Sequence, residues 1–173
     1  MQGFGVPRGS RPFGMEATMK EEFMREAIRL SRERMNAGKG GPFGAVVVMD
    51  DQIIARGNNQ VTVCNDPTAH AEVVAIRVAC ESLQSFSLKG CELYSSCEPC
   101  PMCLSAVYWS RVDRLYFAGS RDDAAAAGFD DAFLYKEIHL APEARTMPTV
   151  QMMREQAVAA FDEWKVLESR IEY

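Results

Sequence analysis

Histidine is nearly absent from this chain: two of its 173 residues, His70 and His139. A metal site that takes one histidine therefore has only two candidates. No stretch approaches the roughly 20 apolar residues needed to span a bilayer. The N-terminal segment lacks the apolar core of a signal peptide, so a cytoplasmic location is expected and a membrane partner is not. There is no basic excess either, because 19 Lys+Arg against 24 Asp+Glu give a net charge of −5. With a pI near 5.1, nothing suggests the broad positive surface that phosphate backbones demand. A small, uncharged or weakly charged substrate is expected instead of nucleic acid.

What is present is ordinary for a globular protein, with 47% hydrophobic and 25% charged residues. The length fits one domain with a substantial core. Residues 1–14 are Gly/Pro-rich and aperiodic, and Val6-Pro7-Arg8-Gly9-Ser10 looks like the scar of a cleavable purification tag. They are expected to be disordered, leaving 15–173 as a single domain. Six cysteines are present, yet a chain this long needs no disulfide framework. The spacing of Cys97, Cys100 and Cys103 points to metal or redox chemistry, while Cys64, Cys80 and Cys91 read as small buried hydrophobes.

Thr18-Met19-Lys20-Glu21 has capping-box spacing and predicts a helix with Met19, Phe23, Ala27 and Leu30 on one stripe, stopped at Gly38. Phe43 to Met49 reads as a buried strand, and Gln52 to Arg56 as its hairpin partner. Residues 57–68 are expected to form a loop. A helix follows from Ala69 to Leu83, a strand over Cys91 to Ser95, a helix over Cys100 to Ser110 and a strand over Val112 to Ala118. Ala124 to Ala127 is a helical piece ending at Gly128, and Val150 to Glu168 closes the chain as a helix. The alternation predicts an α/β fold with helices on both faces of a sheet.

One constellation carries chemistry. His70-Ala71-Glu72 is followed, thirty residues after the histidine, by Pro99-Cys100-Pro101-Met102-Cys103. A His-x-Glu upstream of Pro-Cys-x-x-Cys is the signature of zinc nucleobase deaminases. Two cysteines three apart on the first turn of a helix share a side, and the helix N-terminus stabilises the thiolate form that binds metal. Pro101 suits the first helical position. His70, Cys100 and Cys103 supply three ligands for one Zn²⁺ and leave the fourth tetrahedral position for water or hydroxide. Glu72 is the candidate general base and then general acid. A structural Cys₃His site using Cys97 and a redox dithiol are the competing interpretations, the second leaving the His-x-Glu unexplained. His139 has no ligand-like spacing.

Beyond the zinc motif, the chain resembles the bacterial guanine deaminase branch of the cytidine-deaminase-like superfamily, from about Phe23 to Tyr173. The resemblance rests on Gly40-Gly41-Pro42-Phe43-Gly44, Asn65-Asp66-Pro67-Thr68-Ala69-His70-Ala71-Glu72, Ser96-Cys97-Glu98-Pro99-Cys100, Ala127-Gly128-Phe129-Asp130-Asp131 and the terminal Glu172-Tyr173. It implies a three-layer α/β/α sandwich with a mixed central sheet. It also implies hydrolysis of guanine to xanthine and ammonia, and a homodimer that exchanges C-terminal segments. Asn59 would hydrogen-bond the purine, Phe43 would stack on it, and Trp109 would help line the pocket. Asp131 would be a second acid/base, and Tyr173 a substrate contact and lid.

Each assignment has a plainer counterpart. Phe43 could be core, Trp109 simple packing, and Asn59 turn chemistry. Asp131 could be a helix N-cap, and Tyr173 a frayed end. Other activities share the same zinc chemistry: deamination of guanosine, an aminotriazine or cytosine, or of adenosine in tRNA. A non-catalytic module with structural zinc is the alternative outside enzymology.

Overall fold

The computed structural model describes residues 21–172. The three residues that open the capping-box motif, Thr18 to Lys20, lie outside them, as do Met19's place on the first stripe and the terminal Tyr173.

Helix α1 (Glu21–Asn36) starts with two glutamates, which favour the positive end of a helix dipole. It buries Phe23, Ala27 and Leu30, the spacing of a single helical stripe. Gly38 ends it at φ +66°, a left-handed conformation that glycine adopts without strain. Strands β1 (Gly44–Met49) and β2 (Gln52–Asn58) form an antiparallel hairpin. Its turn residues Asp50 and Asp51 both take positive φ, as a two-residue turn matching the strand twist requires. Strand β3 (Cys91–Cys97) pairs antiparallel with β1, and β4 (Arg114–Gly119) pairs parallel with β3. The order β2-β1-β3-β4 makes a mixed sheet.

The continuous Ala45-Val46-Val47-Val48 run has a simple cause: both faces of β1 are covered. Val46, Val48 and Tyr94 pack with Phe23 and Leu30 of α1 on one side. Ala45, Val47, Ala55 and Leu93 pack on the other against Ala71, Ala75 and Ala79 of α3 (Ala71–Leu83) and Val107 of α4 (Pro101–Ser110). Two cores separated by one sheet define the expected three-layer α/β/α sandwich. Among the described residues no helix is long and apolar enough to cross a membrane.

Residues 57–68 are not wholly a loop, because Val61–Cys64 form one helical turn, α2, which ends at Asn65 in the left-handed region. Polar composition concealed it, as a single turn carries no periodicity. Helix α5 (Arg121–Ala126) begins three residues before the expected Ala124, at a complete capping box between Ser120 and Asp123. Helix α6 (Ala132–Glu137) and a 3₁₀ turn (Pro142–Ala144) follow. Helix α7 (Arg154–Val166) is shorter than the expected 150–168. None of the residues from Ala132 to Glu172 is buried, so this C-terminal arm contributes nothing to either core.

Glycine sets how closely the layers approach. A Cβ on Gly57 would stand 2.2 Å from the Ala71 carbonyl oxygen and 2.6 Å from the Ala75 nitrogen, below any tolerable contact. Gly57 thus lets the start of α3 lie directly on β2. Gly57→Ala is expected to cost about 1–3 kcal/mol, the usual cost of overpacking, and to loosen metal binding, because Ala71 adjoins His70. Thermal denaturation and zinc content of the variant check both.

Candidate active site

The chemistry-bearing residues gather where two helices begin. His70 is the N-cap of α3, with extended backbone (φ −69°, ψ 156°). Glu72 is therefore only the second residue of the helix. Two residues apart in mid-helix they would diverge by about 200°, but a non-helical His70 removes that obstacle. Cys100 is likewise the N-cap of α4, Pro101 its first residue and Cys103 its third. Both sulfurs thus sit at a helix N-terminus, where the dipole favours negative charge.

His70 Nδ1 lies 3.6 Å from Cys100 Sγ and 3.4 Å from Cys103 Sγ. Among the described residues these three form the group of His, Cys and acidic side chains able to hold a metal, all ligand atoms within 4.8 Å of one another. Zinc–sulfur bonds of about 2.3 Å and zinc–nitrogen bonds of about 2.0 Å in a tetrahedron put nitrogen and sulfur about 3.6 Å apart. The arrangement fits zinc without rearrangement, through Nδ1 of the imidazole.

The electrostatics point the same way. Cys103 donates its thiol proton to Cys100, and with His70 this pulls Cys100 down to about 4, while Cys103 is pushed up. The hydrogen bond to Cys100 raises His70. Glu72 is 6% exposed. Burial pushes its carboxyl up, opposed by hydrogen bonds that include one from the Ser95 hydroxyl to Oε1 at 3.1 Å. Burial and the charge of Cys100 push Asp131 up too. Four groups that are anionic when ionised (Cys100, Cys103, Glu72 and Asp131) converge here, and a divalent cation is the charge that would offset them.

Cys97 behaves differently. Its thiol is pushed up to about 11, first by burial and then by Glu72, and its Sγ lies 3.6 Å from the Ser120 carbonyl as donor. Turned to that carbonyl, Cys97 stands outside the metal-holding group. That removes the Cys₃His alternative.

Above these residues opens a cleft of ≈ 590 Å³, including the solvent at its mouth. Phe43, Asn59, His70, Glu72, Cys100 and Asp131 all line it. Asn59 Oδ1 accepts from the backbone N–H groups of Gly41 and Val61, both at 3.3 Å. Its side-chain carbonyl is thus used by the protein. Phe43 meets Phe129 edge to face, centroids 4.9 Å apart, so it walls the cleft while packing, half-buried, against the core on the α3 side of the sheet. Asp131 stands at the N-cap position of α6 but makes no capping hydrogen bond. Asp130 Oδ1 accepts from the Ala132 N–H instead, which leaves the Asp131 carboxylate to the cleft.

Trp109, expected at the pocket, is not brought there. It is 61% exposed and does not line the cleft. Six residues beyond Cys103 it lies about 240° around the helix, whereas Val107 and Ser110 share the buried face. Sequence reasoning missed Glu98 and Arg121, which also line the cleft. The Ser120-x-x-Asp123 capping box was the available signal, since it starts α5 at the rim and puts Arg121 there.

The family of the chain follows from this geometry and from its relatives. Residues 17–119 match the cytidine and deoxycytidylate deaminase zinc-binding region, and the chain belongs to that family of zinc-binding deaminases. Within it, the guanine deaminase of Bacillus subtilis (strain 168) is 52% identical over 153 residues, 88% of this chain and 98% of that protein. The X-ray structure of guanine deaminase from Bacillus subtilis superposes with a TM-score of 0.87 at 51% identity, covering 89% of this chain and 98% of the other. A guanine deaminase structure from Nitrosomonas europaea gives a TM-score of 0.61 at 32% identity, covering 86% and 85%. The tRNA-specific adenosine deaminase of Aquifex aeolicus (strain VF5) is 41% identical over 57% of this chain and 65% of that protein.

The ligand set makes a separable prediction. His70→Ala, Cys100→Ser and Cys103→Ser are each expected to purify with zinc well below one ion per chain, whereas Cys97→Ser keeps it. Atomic absorption on the purified variants distinguishes the four.

Proposed function

We infer that the protein hydrolyses guanine to xanthine and ammonia, as a homodimer in which each C-terminal arm completes the partner's site. The observation that carries the substrate is the likeness to the Bacillus subtilis guanine deaminase. Its 153 matched residues in a chain of 173 necessarily take in Phe129 and Asp131, beyond the zinc-binding region that ends at 119.

His70, Cys100 and Cys103 hold the zinc. When bound, the metal supplies a Lewis acid that lowers the pKa of water toward neutrality. Glu72, held by Ser95, accepts a proton from the attacking water and delivers it to the purine ring nitrogen. It then takes the remaining hydroxyl proton at carbon 2 and passes it to the departing amine, so that the C–N bond breaks as the carbonyl of xanthine forms. Asn59 donates through Nδ2 to a ring acceptor, and Phe43 packs on the base. Asp131, kept out of capping by Asp130, faces the amine side as a second proton carrier. Guanine plus water becomes xanthine plus ammonia, with no redox step.

The arm supports the dimer. Phe161, Trp164, Val166 and Leu167 of its last helix and linker are exposed, a contiguous apolar set that a lone subunit does not cover. Exchange between two copies covers it and lets Tyr173 close the partner's cleft. Trp109, outside its own cleft, has a place at such a subunit boundary.

Ammonia release across guanine, guanosine, adenine, adenosine, cytosine and cytidine tests the substrate, and preferred turnover of any base but guanine refutes it. Glu72→Gln is expected to lose at least about 100-fold in turnover while keeping its zinc; full activity would mean a structural metal. Mixing Glu72→Gln chains with chains lacking Tyr173 tests the exchange. Each is inactive alone, but random reassociation should restore about a quarter of wild-type activity, since half the dimers are mixed and one of their two sites is intact. No recovery after refolding together rules out a shared site.

A further inference from the structure

Asp131 hangs on a segment that owes little to the cores, yet its place over the cleft has to be held by something. Besides the Phe129 N–H, which donates to the Ala124 carbonyl at 2.9 Å, two ring contacts that flank Asp131 join the chain from Phe129 to Tyr135 to the rest. On one side Phe129 abuts Phe43 at 4.9 Å, interplanar angle 84°. On the other, the Arg121 guanidinium lies 5.1 Å from the Tyr135 ring centroid, one helical turn beyond Asp131.

Arg121 is itself anchored at the junction of the two parallel strands. Its backbone N–H donates to Glu98 Oε2 at 3.1 Å, and the Glu98 N–H donates to the Gly119 carbonyl at 2.8 Å. The Ser120–Asp123 capping box fixes the start of α5 at the same point. A side chain rooted there and ending on Tyr135 ties α6 to the metal-bearing end of β3. Arg121 lines the cleft while its charged head rests on the ring, the division expected of an arginine whose stem covers apolar surface.

The geometry points to Arg121 as a positioning residue, whose contact with Tyr135 holds Asp131 over the cleft. The inference rests on the role given to Asp131 above. Arg121 does not touch the reacting atoms; it acts through α6. The charge also favours the ionised form of Asp131, against the burial that disfavours it.

The test uses the full-length zinc enzyme and four variants: Arg121→Met, which keeps the stem and drops the charge, Tyr135→Leu, the two combined, and Arg121→Lys. With guanine, Arg121→Met and Tyr135→Leu should each lower kcat on the order of tenfold, the scale of small misplacements of a reacting group. KM should move less than about twofold, because binding of the base rests elsewhere. The double variant should be no worse than either single one, and Arg121→Lys should recover part of the loss, since an ammonium also binds a ring face. In an Asp131→Asn background neither change should lower kcat further.

Amide hydrogen exchange over residues 129–135 provides a readout that needs no substrate. Arg121→Met should exchange about two- to fivefold faster there, the range a surface cation–π contact supports. Unchanged kcat, the same fractional loss on top of Asp131→Asn, or unaltered exchange overturns the inference. A wild-type enzyme inactive on guanine overturns the proposed substrate instead, and exchange alone then decides whether Arg121 holds the segment.

Discussion

Two helix N-termini meet at His70, Cys100 and Cys103, and the 3.4 and 3.6 Å between imidazole and sulfurs are what the surrounding layers maintain. Neither helix could hold the metal alone, since α4 brings two sulfurs and α3 the nitrogen. Their relative position is set by the sheet between and beneath them. Gly57 lets α3 lie directly on β2, and β3 leads straight into the Cys97–Cys100 segment. The alanines at 71, 75 and 79 are buried because only small side chains keep α3 that close.

The same convergence explains why Glu72 can be buried at all. An isolated carboxylate in this interior would be expensive to ionise. It is offset by the N-terminus of its own helix, by the Ser95 hydroxyl and by the charge of a bound cation. Removing the metal takes away the largest of these. Burial then leaves the carboxyl raised. The metal site and Glu72 are thus coupled electrostatically.

The zinc site was legible in the sequence because its geometry is local. A proline at the first helical position, cysteines three apart and a histidine just before an acidic helix start each constrain a few neighbouring atoms. The three-layer fold was legible for a similar reason: A-V-V-V marks a strand covered on both faces, and the helices carry clear periodicity. The cleft was only half visible. Asn59, Phe43 and Trp109 were reached through resemblance to a family, not through any local pattern, and of the three only Trp109 lies outside the cleft of its own chain. Arg121 had no chemical signature, since an exposed arginine usually means a solvated surface. Its contact with Tyr135 spans fourteen residues and exists only once α5 and α6 have folded back.

These differences divide the chain by function as well as by legibility. Residues up to Gly119 build the sandwich and the activated water, and they coincide with the region shared across the family. Residues after it bring Phe129 and Asp131 to the cleft and form an arm with no buried residue of its own from Ala132 onward. Catalytic power needs rigidity, and the two cores provide it. Selection needs only that a few groups reach the cleft mouth, so it can be built from thin contacts such as a ring edge and a cation over a ring.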